Sequence, residues 1–277
     1  VERLEQLKQR AEAARGDGML GHAMDACKEA LELLQVCAAE SDSEHRATEF
    51  RLLCGDIAWD AGDLHEALRY YQEAIVEDPE SLDASAAIGF VLFHMCRFTA
   101  ARATLEAISA EAPDMPDVWY YLGLLAQRAG EPGLESYAFQ KAARIDSERY
   151  PVPIEVTREE VEAMLSEMID SLPRPLHKAL SNVPILLEDL PNDSILFSED
   201  PPLDPLLLGL FTGQPLDEQS AFNQPADITR ILLFKKNIER VAPNPDALRR
   251  ELWITLKHEI GHYWGLDEDE LAARGLE

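Results

Sequence analysis

A chain of 277 residues, 46% apolar and 28% charged, has the make-up of a folded globular protein long enough for two ordinary domains. Its 52 acidic and 25 basic side chains leave a net charge of −27, a field that repels nucleic acid and anionic membranes and favours basic or neutral partners. It has no apolar run of about 18 residues for a membrane span and no segment that reads as a secretory leader. Its four cysteines (Cys27, Cys37, Cys54, Cys96) form no CxxC pair, so they read as small core residues of a reducing, cytoplasmic compartment.

From residue 48 to 148 the sequence repeats with a period of 34. Gly55, Gly89 and Gly123 recur at that spacing, as do Pro79 and Pro113, the trio Tyr71, Leu105 and Phe139, and the trio Ala74, Ile108 and Ala142. Each unit reads as two helices, with the glycine allowing close approach of the pair and the proline punctuating the turn to the next unit. Gly62 and Gly130 mark the turn inside their units. A weaker unit precedes these at about 4–39, with Gly18, Ala23, Cys27 and Ala30 in matching places, and the polar stretch 38–44 lengthens the connection.

This register resembles the tetratricopeptide repeat, most closely in the last unit through Trp119, Leu122, Gly123, Gly130, Phe139 and Ala142. Glu135 stands where that family has a small residue, and Ser147 where it has proline. The resemblance implies a helical solenoid that binds a protein or peptide partner.

Tyr150-Pro151-Val152-Pro153 ends the period, because consecutive X-Pro steps favour extended backbone. The expected domains are therefore 1–149, the repeats, and 150–277. A helix follows from Thr157, with Glu160 completing a capping box and Val161, Met164, Leu165, Met168 and Ile169 forming one apolar stripe. Residues 183–187, 206–211 and 228–234 read as strands, separated by polar loops at about 191–205 and 213–227. The final helix has Asn244 as its cap, Pro245 at its first position and Asp246 at the positive end of its dipole. Trp253, Leu256, Ile260 and Trp264 fall on one side of it as the packing face.

Near the end of that helix stands His258-Glu259-Ile260-Gly261-His262. Imidazoles four positions apart on a helix project from the same face, so both reach one Zn²⁺ ion, and Glu259 beside them is a general base for its water. Fifteen residues follow His262, too few for a separate downstream helix to deliver a third ligand, which places that ligand in the turn after Gly265. An HExxHxxGxx spacing puts Glu268 there, with Asp267 as the alternative and Asp269 behind it. Two histidines and a carboxylate leave a position open, the pattern of a catalytic rather than a structural zinc site.

With Gly209-Leu210-Phe211-Thr212-Gly213 upstream, the segment HEIGHYWGLDEDEL resembles a family of small bacterial zincin-like metallopeptidases, which usually carry Asp where Glu268 stands. The resemblance implies a minimal zincin fold, a small sheet backed by two helices, and a chain that is mainly α with an α+β C-terminal domain. The expected function is that of a zinc metallopeptidase, with Glu259 catalytic, His258, His262 and Glu268 (or Asp267) holding the metal, and the repeats recruiting a protein. The rival is a repeat adaptor whose zinc domain is structural, latent or inactive. Either the 206–213 or the 228–235 strand is suited to hold an extended substrate by backbone hydrogen bonds. Tyr263 reads either as oxyanion support or as a packing residue.

Overall fold

The computed structural model describes residues 2–36, 43–216 and 229–274. Its chain divides into two compact units, Val1–Asp146 and Ser147–Glu277. Cys37 and most of the polar stretch 38–44 lie outside the described residues, as does the segment 217–228.

The first unit is a solenoid of helix pairs: α1 (Glu2–Gly16) with α2 (Leu20–Val36), α3 (Ser43–Asp60) with α4 (Leu64–Glu77), α5 (Leu82–His94) with α6 (Phe98–Glu111), and α7 (Pro116–Ala129) with α8 (Pro132–Ile145). Helix starts follow local chemistry: Asp63 and Ser81 accept the N–H groups of Glu66 and Ala84, while Pro116 and Pro132 occupy first turns, where their missing N–H costs nothing. The periodic glycines have a packing cause. A Cβ at Gly55 would stand 2.3 Å from the Tyr71 ring, one at Gly89 2.6 Å from Leu105, and one at Gly123 2.7 Å from Phe139. Each glycine thus seats the residue sixteen positions later, on the partner helix of its own pair.

The turn inside each pair needs a left-handed residue. Gly62 (φ +78°) and Gly130 (φ +68°) supply it, and at the equivalent place between them Cys96 takes φ +58°. Sequence spacing alone did not single out Cys96, because cysteine is not a residue that advertises this conformation.

The second unit contains α9 (Arg158–Ser171), α10 (Arg174–Leu180), β1 (Ile185–Glu188), α11 (Asp193–Leu196), β2 (Gly209–Thr212), β3 (Arg230–Phe234), α12 (Lys235–Val241), α13 (Pro245–Tyr263) and α14 (Glu268–Ala273). Thr157 and Glu160 form the expected capping box on α9. The sheet has the order β1-β3-β2, with β1 parallel and β2 antiparallel to β3. Both faces of β3 are covered, which explains its unbroken apolar run. Ile231 and Leu233 pack with Leu252, Leu256 and Ile260 of α13 and with Val161 and Leu165 of α9. On the opposite face Leu232 and Phe234 meet Ile195, Leu203, Leu207 and Leu210.

Three local expectations change. Leu206–Leu208 fall outside β2: the fully buried Asn237 donates from Nδ2 to the carbonyls of Pro205 (3.0 Å) and Leu207 (2.7 Å), tying that backbone to a side chain, and of the three only the Leu208 carbonyl reaches β3, from the Phe234 N–H. The unit holds more helices than the two expected: α10, α11, α12 and α14 are short and leave little periodic signal in the sequence. Trp264, expected on the packing face of the last helix, is 41% exposed, because it lies just beyond the end of α13 as its C-cap. Among the described residues no helix is long and apolar enough to cross a membrane.

Candidate metal centre

Helix α13 sets two imidazoles one turn apart. The Nε2 atoms of His258 and His262 are 3.0 Å apart, with the rings nearly perpendicular at 85°. Two nitrogens held tetrahedrally at roughly 2.0–2.1 Å from a zinc ion stand about 3.3 Å apart, so the pair fits that ion. The Nδ1 of His262 lies 3.1 Å from the Leu266 carbonyl. A carbonyl only accepts, so Nδ1 carries the proton and Nε2 keeps its lone pair for a metal.

The carboxylate comes from α14. Gly265, at φ +81°, reverses the chain, and Asp267 caps the new helix by accepting the Glu270 N–H (2.9 Å), while the Glu270 carboxylate accepts the Asp267 N–H. Glu268, the first residue of α14, then places Oε1 3.4 Å from His262 Nε2 and Oε2 3.7 Å from His258 Nε2. One donor atom from each of the three residues falls within 4.8 Å of the others. Asp267 is engaged with the N-terminus of α14 and is not part of that group, nor is Asp269. A short helix therefore does follow the turn, contrary to the expectation drawn from the few residues after His262.

Gly261, inside the motif, holds this arrangement together. A Cβ there would stand 2.2 Å from Leu271 Cδ2, and Leu271 is the fully buried anchor of α14. The missing side chain lets α14 dock on α13 and fixes where Glu268 points.

Glu259 is 5% exposed and faces β2. A Cβ at Gly209 would come 2.8 Å from Glu259 Oε1, so only glycine lets the strand pass this close. Burial pushes the carboxyl up to about 8; a hydrogen bond from the Phe211 backbone opposes the rise and the charge of Glu268 adds to it. A cation held by His258, His262 and Glu268 would act in the opposite sense and favour the carboxylate that a general base requires.

These groups border a cleft of about 560 Å³, with Gly209, Leu210 and Phe211 on one side and the metal helix and its following turn on the other. Strand β3 is paired on both edges, whereas among the described residues β2 is paired only with β3. The bond from the Phe234 N–H to the Leu208 carbonyl sets the phase of the ladder, which turns the backbone groups of Gly209 and Phe211 towards the free edge. Tyr263 is 3% exposed and donates its hydroxyl to the Ala179 carbonyl (3.3 Å), so it packs and does not face the cleft. Sequence reasoning did not assign Gly209, Phe211 and Leu266 their places around the site. Their contributions are a missing side chain and backbone groups, which leave no chemical signature in the letters.

Residues 180–276 match the family described as zincin-like metallopeptidase, and residues 58–127 match a tetratricopeptide repeat family. No curated protein gives a significant match. Similar solved structures include the crystal structure of MamA protein (23% identity, TM-score 0.43, spanning 53% of this chain and 74% of that one). A tetratricopeptide repeat protein from Parabacteroides merdae ATCC 43184 shows 17% identity and a TM-score of 0.44 over 65% of this chain and 67% of its own. A MamA fragment from Desulfovibrio magneticus RS-1 shows 20% identity and a TM-score of 0.43 over 65% and 89%. The chain carries a tetratricopeptide repeat region and a zincin-like metallopeptidase domain.

Proposed function

We propose that the chain is a zinc-dependent metallopeptidase, with residues 150–277 as the catalytic domain and the repeats of 1–149 recruiting its protein substrate in a reducing cytoplasm. One observation carries this reading: the donor atoms of His258, His262 and Glu268 converge within 4.8 Å beside a buried Glu259, in a cleft bordered by β2, which among the described residues pairs on one side only. Bound zinc supplies a Lewis acid that polarises the scissile carbonyl and makes water a better acid. Glu259 takes the proton of the attacking water and passes it to the departing amine. The outward backbone groups of Gly209 and the Phe211 carbonyl hold the substrate extended, as an added antiparallel strand, while the Phe211 N–H serves Glu259. Leu210 lines the cleft beside them.

The test is cleavage of a mixed peptide library by the zinc-loaded chain, beside Glu259→Gln at equal zinc content. The reading requires cleavage that falls about 10²–10⁴-fold in the variant. Stoichiometric zinc without cleavage of any peptide, or of proteins captured by the repeats, would leave the adaptor reading in its place.

A further inference from the structure

A second concavity lies about a quarter-turn around α13 from the metal ligands. Trp253, Lys257, Ile260, Gly261 and Trp264 line it at helical spacing, and Leu172, Pro173, Leu176 and Arg274 form part of its walls. Lys257 and Gly261 each directly precede a ligand histidine, so groove and metal site are neighbouring stripes of one helix. At about 270 Å³ the groove is below the roughly 300–1,000 Å³ of small-molecule sites. It is the size of one anchoring side chain. Its walls are mainly apolar and include two indoles, one of them the 41% exposed Trp264.

The charges at this groove reverse those of the chain. The protein carries −27 overall, yet the two charged residues lining the groove, Lys257 and Arg274, are both cationic. Lys257 Nζ sits 5.7 Å from the centroid of the Trp253 ring, and among the described residues neither cation has a carboxylate within salt-bridge distance. An apolar slot with two cations at its rim is complementary to a large apolar side chain flanked by carboxylates.

We propose that this groove docks an acidic segment of a partner protein, anchored by one large apolar side chain whose flanking carboxylates meet Lys257 and Arg274. The groove adjoins the cleft through Leu266, which lines both. Docking itself requires no cleavage, so it is tested independently of the peptidase reading.

The experiment uses the full-length Glu259→Gln chain and three labelled peptides, acetylated and amidated: a central Phe flanked by Glu, the same Phe flanked by Lys, and the Glu peptide with Ala in place of Phe. Fluorescence anisotropy is expected to show saturable binding of the first peptide only. Adding Lys257→Glu with Arg274→Glu should weaken it at least tenfold at unchanged circular dichroism. Trp264→Ala should weaken it as well, which covers the case in which the double reversal unfolds the chain. Equal binding of the Glu and Lys peptides, indifference to both sets of substitutions, or no binding at all would overturn the proposal. So would a tenfold gain for a chain ending at Arg274, which would make the chain's own final residues the occupant.

Discussion

The two units use the same device, a glycine whose absent side chain admits a neighbour, over different distances along the chain. In the repeats, Gly55, Gly89 and Gly123 each admit a residue sixteen positions on, and the contact recurs with the 34-residue period. In the second unit Gly209 admits Thr255 and Glu259 from a distant helix, and Gly261 admits Leu271 across a chain reversal. The repeat contacts stack one helix on its partner. The others each place a single group, Glu259 beside β2 and Glu268 beside two imidazoles. Local repetition builds surface and length, whereas a site needs contacts that occur once.

If this contrast is right, the units respond to different perturbations. Free zinc at about a hundred times its dissociation constant should stabilise the second unit by about 2.7 kcal/mol and leave the repeats unchanged. Thermal unfolding with and without chelator checks this, and a zinc shift that survives Glu268→Ala with His262→Ala would remove the assigned ligands from the account. Gly123→Ala should cost about 1–3 kcal/mol through overpacking against Phe139, with zinc affinity unaltered.

Gly261→Val should do the converse. Displacing Leu271 loosens α14, and zinc affinity measured by chelator competition should fall about 10–100-fold while unfolding of the repeats stays the same. Asp267→Ala should lose about 1 kcal/mol from the α14 cap and much less zinc affinity than Glu268→Ala. The smallest effect is expected at Cys96→Gly. Relief of a left-handed residue worth about 1 kcal/mol is partly offset by the loss of a buried side chain, leaving a gain of a few tenths in denaturant unfolding.

The sequence by itself determined what depends on spacing: the 34-residue repeat, the capped helices α9 and α13, and the projection of His258 and His262 from one helix face. These follow from the helical period and from side chains that bond their own backbone neighbours, so a linear reading captures them. Tertiary structure decided which carboxylate stands beside the imidazoles, since Asp267 and Glu268 are adjacent letters until a cap engages one and the other is brought within 3.4 Å of His262. It also decided that, among the described residues, β2 and not β3 has one unpaired edge at the cleft, because strand order is a property of the assembled sheet. The rise of Glu259 to about 8 likewise needed the fold, as its largest cause is burial produced by packing α13 against a strand some fifty residues earlier in the chain.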